Sequence, residues 1–379
     1  MKRIFSILII MSVGHSWSQS EFHNFGNLQI HDEGQIGFHV NLQNDGAFNQ
    51  NLGLAGFYNS TESLFIYGTE IPKFFDMEVE VPNHLNLLIN TEVENSLSYI
   101  SGDIVTPRLS PSISLDFLGD SFYVLESDFQ NTDGYASYDG SNEFSFPIGA
   151  DNKLRPLITP VRTSNLKFSA AYFNEDPNFP STFTEGFNTN NFEGILNVIS
   201  DFEFWDFDGS NETIVTLTWE QSSGIDDLVS NLDELRVVGW HIADQEWKDL
   251  GNSSVSGSFL SGQISSFIFN PNEYEVITFG SLKTSDELEV YNLISPNGDG
   301  LNDVFVIDGI TLFDNEVKIF NRWGNKVFET RNYQNDWNGF ANTGRIFGKG
   351  EALPVGTYFY TVELKDENLN FAGWLYINY

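Results

Sequence analysis

The chain has 379 residues, no cysteine, and a formal net charge of -35 from 53 acidic against 18 basic residues. Without cysteine there is no disulfide framework, no thiolate nucleophile and no Cys-ligated zinc or iron-sulfur site. The charge repels phosphate backbones and anionic lipid, which argues against a nucleic-acid partner and favours divalent cations. A chain this long holds two or three cores, since domains mostly run to about 100–200 residues. Its 35 Phe against 3 Met suit pleated, half-buried surfaces, so the expected class is all-β.

Lys2 and Arg3 precede an apolar run over 4–13, and Ser16-Trp17-Ser18 supplies small residues for a cleavage site. This predicts a signal peptide over 1–18, cut between Ser18 and Gln19. The run is shorter than the ~20 residues of a membrane-spanning helix, so no transmembrane anchor is expected.

Residues 19–160 read as a β-rich region of short strands. Phe38, Phe48, Phe57, Ile66 and Phe75 recur every nine or ten residues, a beat that suits a solenoid, a barrel or a sandwich. Within it Met77, Val79 and Val81 alternate with acidic residues, as half-buried strands do. Phe144-Ser145-Phe146-Pro147-Ile148-Gly149 and Leu154-Arg155-Pro156-Leu157 close the region with strand-ending prolines, in a phrase that resembles one common in Bacteroidetes surface proteins.

Residues 161–280 predict a middle β-sandwich. Its strands are expected over 213–219, 235–240 and 274–279, with a Ser/Gly-rich turn over 251–257. A polar linker follows over 281–287, and a terminal module occupies 288–379. That module holds seven basic against 12 acidic residues, so most of the negative charge lies upstream of it.

Four phrases punctuate the module. They are Ile294-Ser295-Pro296-Asn297-Gly298-Asp299-Gly300-Leu301-Asn302-Asp303, then Val317-Lys318-Ile319-Phe320-Asn321-Arg322-Trp323-Gly324, then Asp336-Trp337-Asn338-Gly339, then Leu353-Pro354-Val355-Gly356-Thr357-Tyr358-Phe359-Tyr360. In order and spacing they resemble the gliding-motility-associated C-terminal domain, the type B sorting domain of the type IX secretion system. The resemblance implies an Ig-like β-sandwich, Sec export followed by passage through the type IX translocon, and a PorP-type outer-membrane protein as partner. One departure is the ending Ile377-Asn378-Tyr379, where many members carry a basic residue.

Asn297, Asp299, Asn302 and Asp303 cluster oxygens around Gly298 and Gly300, which makes the loop a candidate calcium site, although its spacing is not that of an EF-hand. The competing reading is a turn whose Asn and Asp side chains bond their own backbone. Arg322, Trp323, Arg331, Tyr333 and Trp337 are candidate sorting-surface residues, being types that dominate interface energetics. Core filling is the alternative for the two tryptophans.

Upstream, 201–208 is the densest acidic and aromatic run. Alternation would place Asp201 and Glu203 on one face and Phe202 and Phe204 on the other, which suits a solvated strand, a cation or sugar contact, or a carboxylate pair. His31 and His39, eight residues apart, lack any Cys or His-Glu-x-x-His context. No nucleophile elbow, phosphate loop or dinucleotide fingerprint is present. The expectation is therefore a non-enzymatic secreted or outer-surface protein, exported through its terminal domain, with an adhesive or structural upstream region. The alternatives are a polysaccharide- or ligand-binding module and, behind it, a hydrolase.

Overall fold

The computed structural model describes residues 21–209, 211–283, 288–343, 350–365 and 369–379. The signal peptide expected over 1–18 and its Ser18/Gln19 cleavage point lie outside these. No helix among the described residues is long and apolar enough to cross a membrane.

Period-two alternation builds the first unit. Met77, Val79 and Val81 point into a core while Glu78 and Glu80 face outward, as alternate residues of a strand must. Each strand pairs in parallel with the strand one coil later rather than with its sequence neighbour. Glu21–Asn24, Asn41–Asn44, Leu64–Gly68, Leu85–Leu87, Ile104–Val105, Thr132–Asp133 and Ile148–Ala150 form one sheet. Gln35–Phe38, Leu54–Tyr58, Lys73–Glu80, Thr91–Ser101, Leu115–Leu118 and Ala136–Gly140 form the other. Because the chain visits the two sheets in turn, it winds as a parallel solenoid. Glu21 pairs with Asn41, Gln35 with Leu54 and Leu64 with Leu85, so a coil takes about 20 residues.

The nine-residue beat is thus half a coil. Phe38 and Phe57, one coil apart, stack with ring centroids 5.0 Å apart. Phe74, rather than Phe75, takes the next inward place, edge-on to Phe48 at 5.3 Å and Phe57 at 5.6 Å.

Turns between the sheets are held by buried asparagines. Asn24 donates to the Asn44 side chain at 2.8 Å, and Asn44 donates to the Glu70 carbonyl at 2.7 Å. Asn51 accepts from the Ile30 amide at 2.8 Å and donates to the Lys73 carbonyl at 2.7 Å. Asn44 and Asn51 thereby satisfy backbone groups of neighbouring coils, which would otherwise be buried and unpaired. Gly68 (φ 137°) sits at the same corner and Gly102 (φ 79°) at the opposite one, and a Cβ there would collide with the Asn44 and Val81 carbonyls, respectively, of the preceding coil.

The parallel run ends where Ala136–Gly140 pairs antiparallel with Leu166–Phe173. Among the described residues the first unit comprises 21–156 together with 161–172, not a block closing at 160. Leu157–Thr159 pairs instead with Thr216–Glu220, within the second unit.

In that unit, Phe204–Gly209, Tyr274–Leu282, Leu235–His241 and Glu246–Gly251 lie in one sheet in that order, and Leu196–Ile199 also pairs with Tyr274–Leu282. Leu157–Thr159, Thr216–Glu220, Ser261–Ser265 and Ser254–Ser258 form a second sheet. Trp205 of the first sheet and Trp219 of the second both stand edge-on to Phe279, at 5.4 Å and 6.1 Å. Thr213, Val215, Leu217 and Trp219 are buried in alternation, as expected.

Two expectations change. The Ser/Gly-rich stretch 251–257 is largely strand, because Ser254–Ser258 pairs along its length with Ser261–Ser265. The last strand runs through Leu282, so the linker begins later than 281, and 284–287 lie outside the described residues.

The Asn44 contacts yield a stability test. Asn44→Ala removes the acceptor of the Asn24 amide's shorter bond and the donor to the Glu70 carbonyl and is expected to cost about 1–3 kcal/mol in urea unfolding, whereas Asn49→Ala, at an exposed position, changes little.

Candidate functional site

The terminal module is built around one five-stranded sheet. Leu293–Ile294 pairs in parallel with Leu369–Ile377, which is followed antiparallel by Gly356–Leu364, Asn315–Phe320 and Lys326–Arg331. A two-stranded ribbon, Glu289–Val290 with Ile307–Asp308, lies apart from it. One face of the sheet packs Val317, Ile319, Tyr360, Val362 and Leu375 onto Phe305, Tyr333 and Trp337 in a single buried cluster.

Tyr333 and Trp337 are therefore core residues, not sorting-surface ones, with exposures of 1% and 3%. Tyr333 donates its hydroxyl to the Phe305 carbonyl at 2.5 Å and accepts from the Trp337 amide at 3.2 Å. Burial pushes that hydroxyl well above its ordinary pKa, so it stays a donor. Trp337 donates its indole N–H to the Phe340 carbonyl at 2.8 Å. Arg331 is exposed but reaches Glu316 at 3.5 Å.

Arg322 and Trp323 stand apart from that core. They lie in the turn between Asn315–Phe320 and Lys326–Arg331, where the Asn321 side-chain oxygen accepts from the Trp323 and Asn325 amides, both at 3.0 Å. The turn holds Trp323 67% exposed, with the Arg322 guanidinium 4.2 Å from its ring centroid. Asn321, Arg322 and Trp323 line a cleft of about 180 Å³ with Pro354, Val355 and Tyr358.

The outer face of the sheet is graded in polarity along its strands. Register places Glu316, Glu363 and Asn370 in one row, then Lys318, Thr361 and Ala372, then Phe320, Phe359 and Trp374. The last row continues the apolar end towards Trp323, with Trp374 54% exposed and Phe359 48%. Sequence reading missed this row because its three members come from three strands and meet only through pairing.

The glycine-rich loop is a self-bonded turn. Asp303 accepts from the Gly298 amide at 2.7 Å and the Gly300 amide at 2.8 Å, the Asn297 side chain accepts from the Asp299 amide, and the Asp299 carboxylate accepts from the Leu301 amide. These bonds hold Asp303 below the usual carboxylate range, and they occupy oxygens that the calcium reading assigns to a cation. Asn302 takes a left-handed φ of 56°. Among the described residues no three His, Asp or Glu side chains converge as metal ligands would.

Upstream, strict alternation fails at 201–208. Glu203, Phe204, Trp205, Asp206 and Phe207 are all buried, while Phe202 is 44% exposed, because Phe204–Gly209 is an interior strand covered on both faces. Neither histidine pairs with the other: His31 lies in a turn, and His39 approaches the Tyr58 carbonyl at 3.2 Å. The middle domain has a second cleft, of about 190 Å³, whose walls include Phe183, Phe187, Trp240, Glu185 and Glu275. Burial first, and then nearby Asp208, raise the pKa of Glu275. Three separate segments supply this cleft, so no local motif announces it.

Fold and exposure define the last stretch of the chain as an all-β module with its own core and one aromatic end that carries Arg322. Residues 288–377 match the family model of the CHU_C type IX secretion signal domain, and the module is accordingly a type IX sorting domain. No curated protein and no solved structure matches the chain.

Two tests separate core from surface. Trp337→Ala is expected to lower stability by about 3–5 kcal/mol and Tyr333→Phe by about 1–3 kcal/mol in denaturant titrations, while Trp323→Ala stays within about 0.5 kcal/mol. For the loop, the folded-state pKa of Asp303 is depressed, so its contribution is complete above the ordinary carboxylate pKa and is lost as pH falls through the lower folded value. Exchange protection of the Gly298 and Gly300 amides should fall over that acidic window and be insensitive to pH in Asp303→Asn.

Proposed function

We propose that the chain is a secreted or surface-displayed β protein whose terminal domain carries it through the type IX pathway and whose upstream region serves an adhesive or structural role without catalysis. A type IX secretion signal implies export to the cell surface or the medium, and the match over 288–377 is the observation that carries this reading. A PorP-type outer-membrane protein is the partner suggested by the type B resemblance. For the upstream part, support comes from the solenoid, whose stacked coils present straight rows of solvent-facing side chains such as Tyr58, Glu80 and Ser101. The aromatic and acidic cleft of the middle domain supports the alternative of extracellular ligand capture, which retardation in polysaccharide affinity gels separates from a purely structural role.

The export reading is tested by placing residues 288–379 behind a signal peptide and a reporter in a type IX-competent host. The reporter should reach the surface or the medium. Retention in the periplasm, or equal escape from a translocon mutant, would refute it.

A further inference from the structure

Among the described residues of the terminal module, every cation but one meets a carboxylate. Among the described residues, Lys318 meets Glu316 at 2.6 Å, Lys326 meets Glu329 at 2.6 Å, Lys365 meets Asp314 at 3.4 Å and Arg331 meets Glu316 at 3.5 Å. Arg322 has no such partner there and instead lies over the exposed Trp323 ring. In an acidic module, a guanidinium left unmatched at the aromatic end of the sheet is complementary to a carboxylate brought from outside.

A second unmatched group adjoins it. The Asn321 oxygen is committed to two backbone amides, which settles the orientation of the side-chain amide and leaves its NH2 buried without a hydrogen-bond partner among the described residues. Asn321 and Arg322 line the same cleft. Beyond them runs the Phe320, Phe359 and Trp374 row, whereas the other end of the sheet face is polar and matched by its own ion pairs.

We propose that the 321–323 cleft and the adjoining aromatic row form the module's docking surface, and that they receive a segment presenting a carboxylate beside an apolar side chain. The carboxylate meets Arg322, and the apolar group lies against Trp323 and Phe359. The inference rests on reading the module as an export signal, and its occupant is an acidic, apolar segment of an envelope component of the secretion machinery. Arg and Trp at such a site are the residue types that concentrate binding energy.

The test uses the full-length chain in a type IX-competent host, comparing surface and medium with the periplasm. Arg322→Glu and Phe359→Glu should each lower the exported fraction on the order of tenfold, with protease-resistant chain accumulating in the periplasm. Thr361→Glu, on the same strand in the polar part of the face, should stay within about twofold, a change too small to signal a lost contact. Trp323→Ala guards against misfolding of the charge variants, because that side chain is exposed and supports no core; wild-type export of this variant overturns the proposal. Deletion of 288–379 runs alongside. If the deletion blocks export and Arg322→Glu and Phe359→Glu do not, the docking surface is wrong and the export reading stands. If the deleted chain is still exported, the export reading itself fails. A dimer of the purified chain in sedimentation that Arg322→Glu dissolves would assign the face to a second copy and overturn the proposal.

Discussion

The register of one strand, Gly356–Leu364, governs the terminal domain. It is paired along most of its length on both sides, so its alternate residues are committed to opposite faces. Tyr358, Tyr360, Val362 and Leu364 go to the core, and Phe359 and Thr361 go to solvent. A slip of one residue would exchange the two sets, exposing the tyrosines and burying a threonine. The same register brings Phe320 and Trp374 to either side of Phe359, and so creates the aromatic row as a by-product of holding the core together.

Upstream, a different constraint does comparable work. A parallel coil cannot close its hydrogen bonds locally, and every strand must wait for the chain to return about 20 residues later. Buried asparagines at the corners and stacked phenylalanines inside keep successive coils in step, in a chain with no disulfide to do so. The acidity is accommodated in the same lattice. Asp116, although buried, accepts from the Ser114 and Ser137 hydroxyls and meets Lys167 at 3.2 Å, so its charge is hydrogen-bonded and paired.

The two regions divide their labour in a way that suits an exported protein. The terminal domain encloses its own apolar cluster, carries few net charges and leaves an aromatic, cationic end open. The upstream units hold most of the acidic residues and present long, ordered strand faces. A sorting domain with a core of its own can be recognised without depending on the cargo that precedes it.

Local chemistry by itself determined a good deal. Period-two alternation marked strands at 77–81, 213–219 and 357–364, and four short phrases in order identified the terminal domain. Those signals are carried by residues close in sequence, where backbone geometry alone dictates which side chains share a face. Tertiary structure decided what depends on distant partners. The beat of phenylalanines became a solenoid only when Phe38 was seen to stack on Phe57 one coil away. The run at 201–208 lost its solvated face because the strand lies inside the sheet. Among five candidate surface residues, pairing and packing sent Tyr333 and Trp337 into the core and left Arg322, Trp323 and Arg331 outside. An aromatic in a turn and an aromatic in a core look alike in one dimension, because burial is set by what the rest of the chain folds over them.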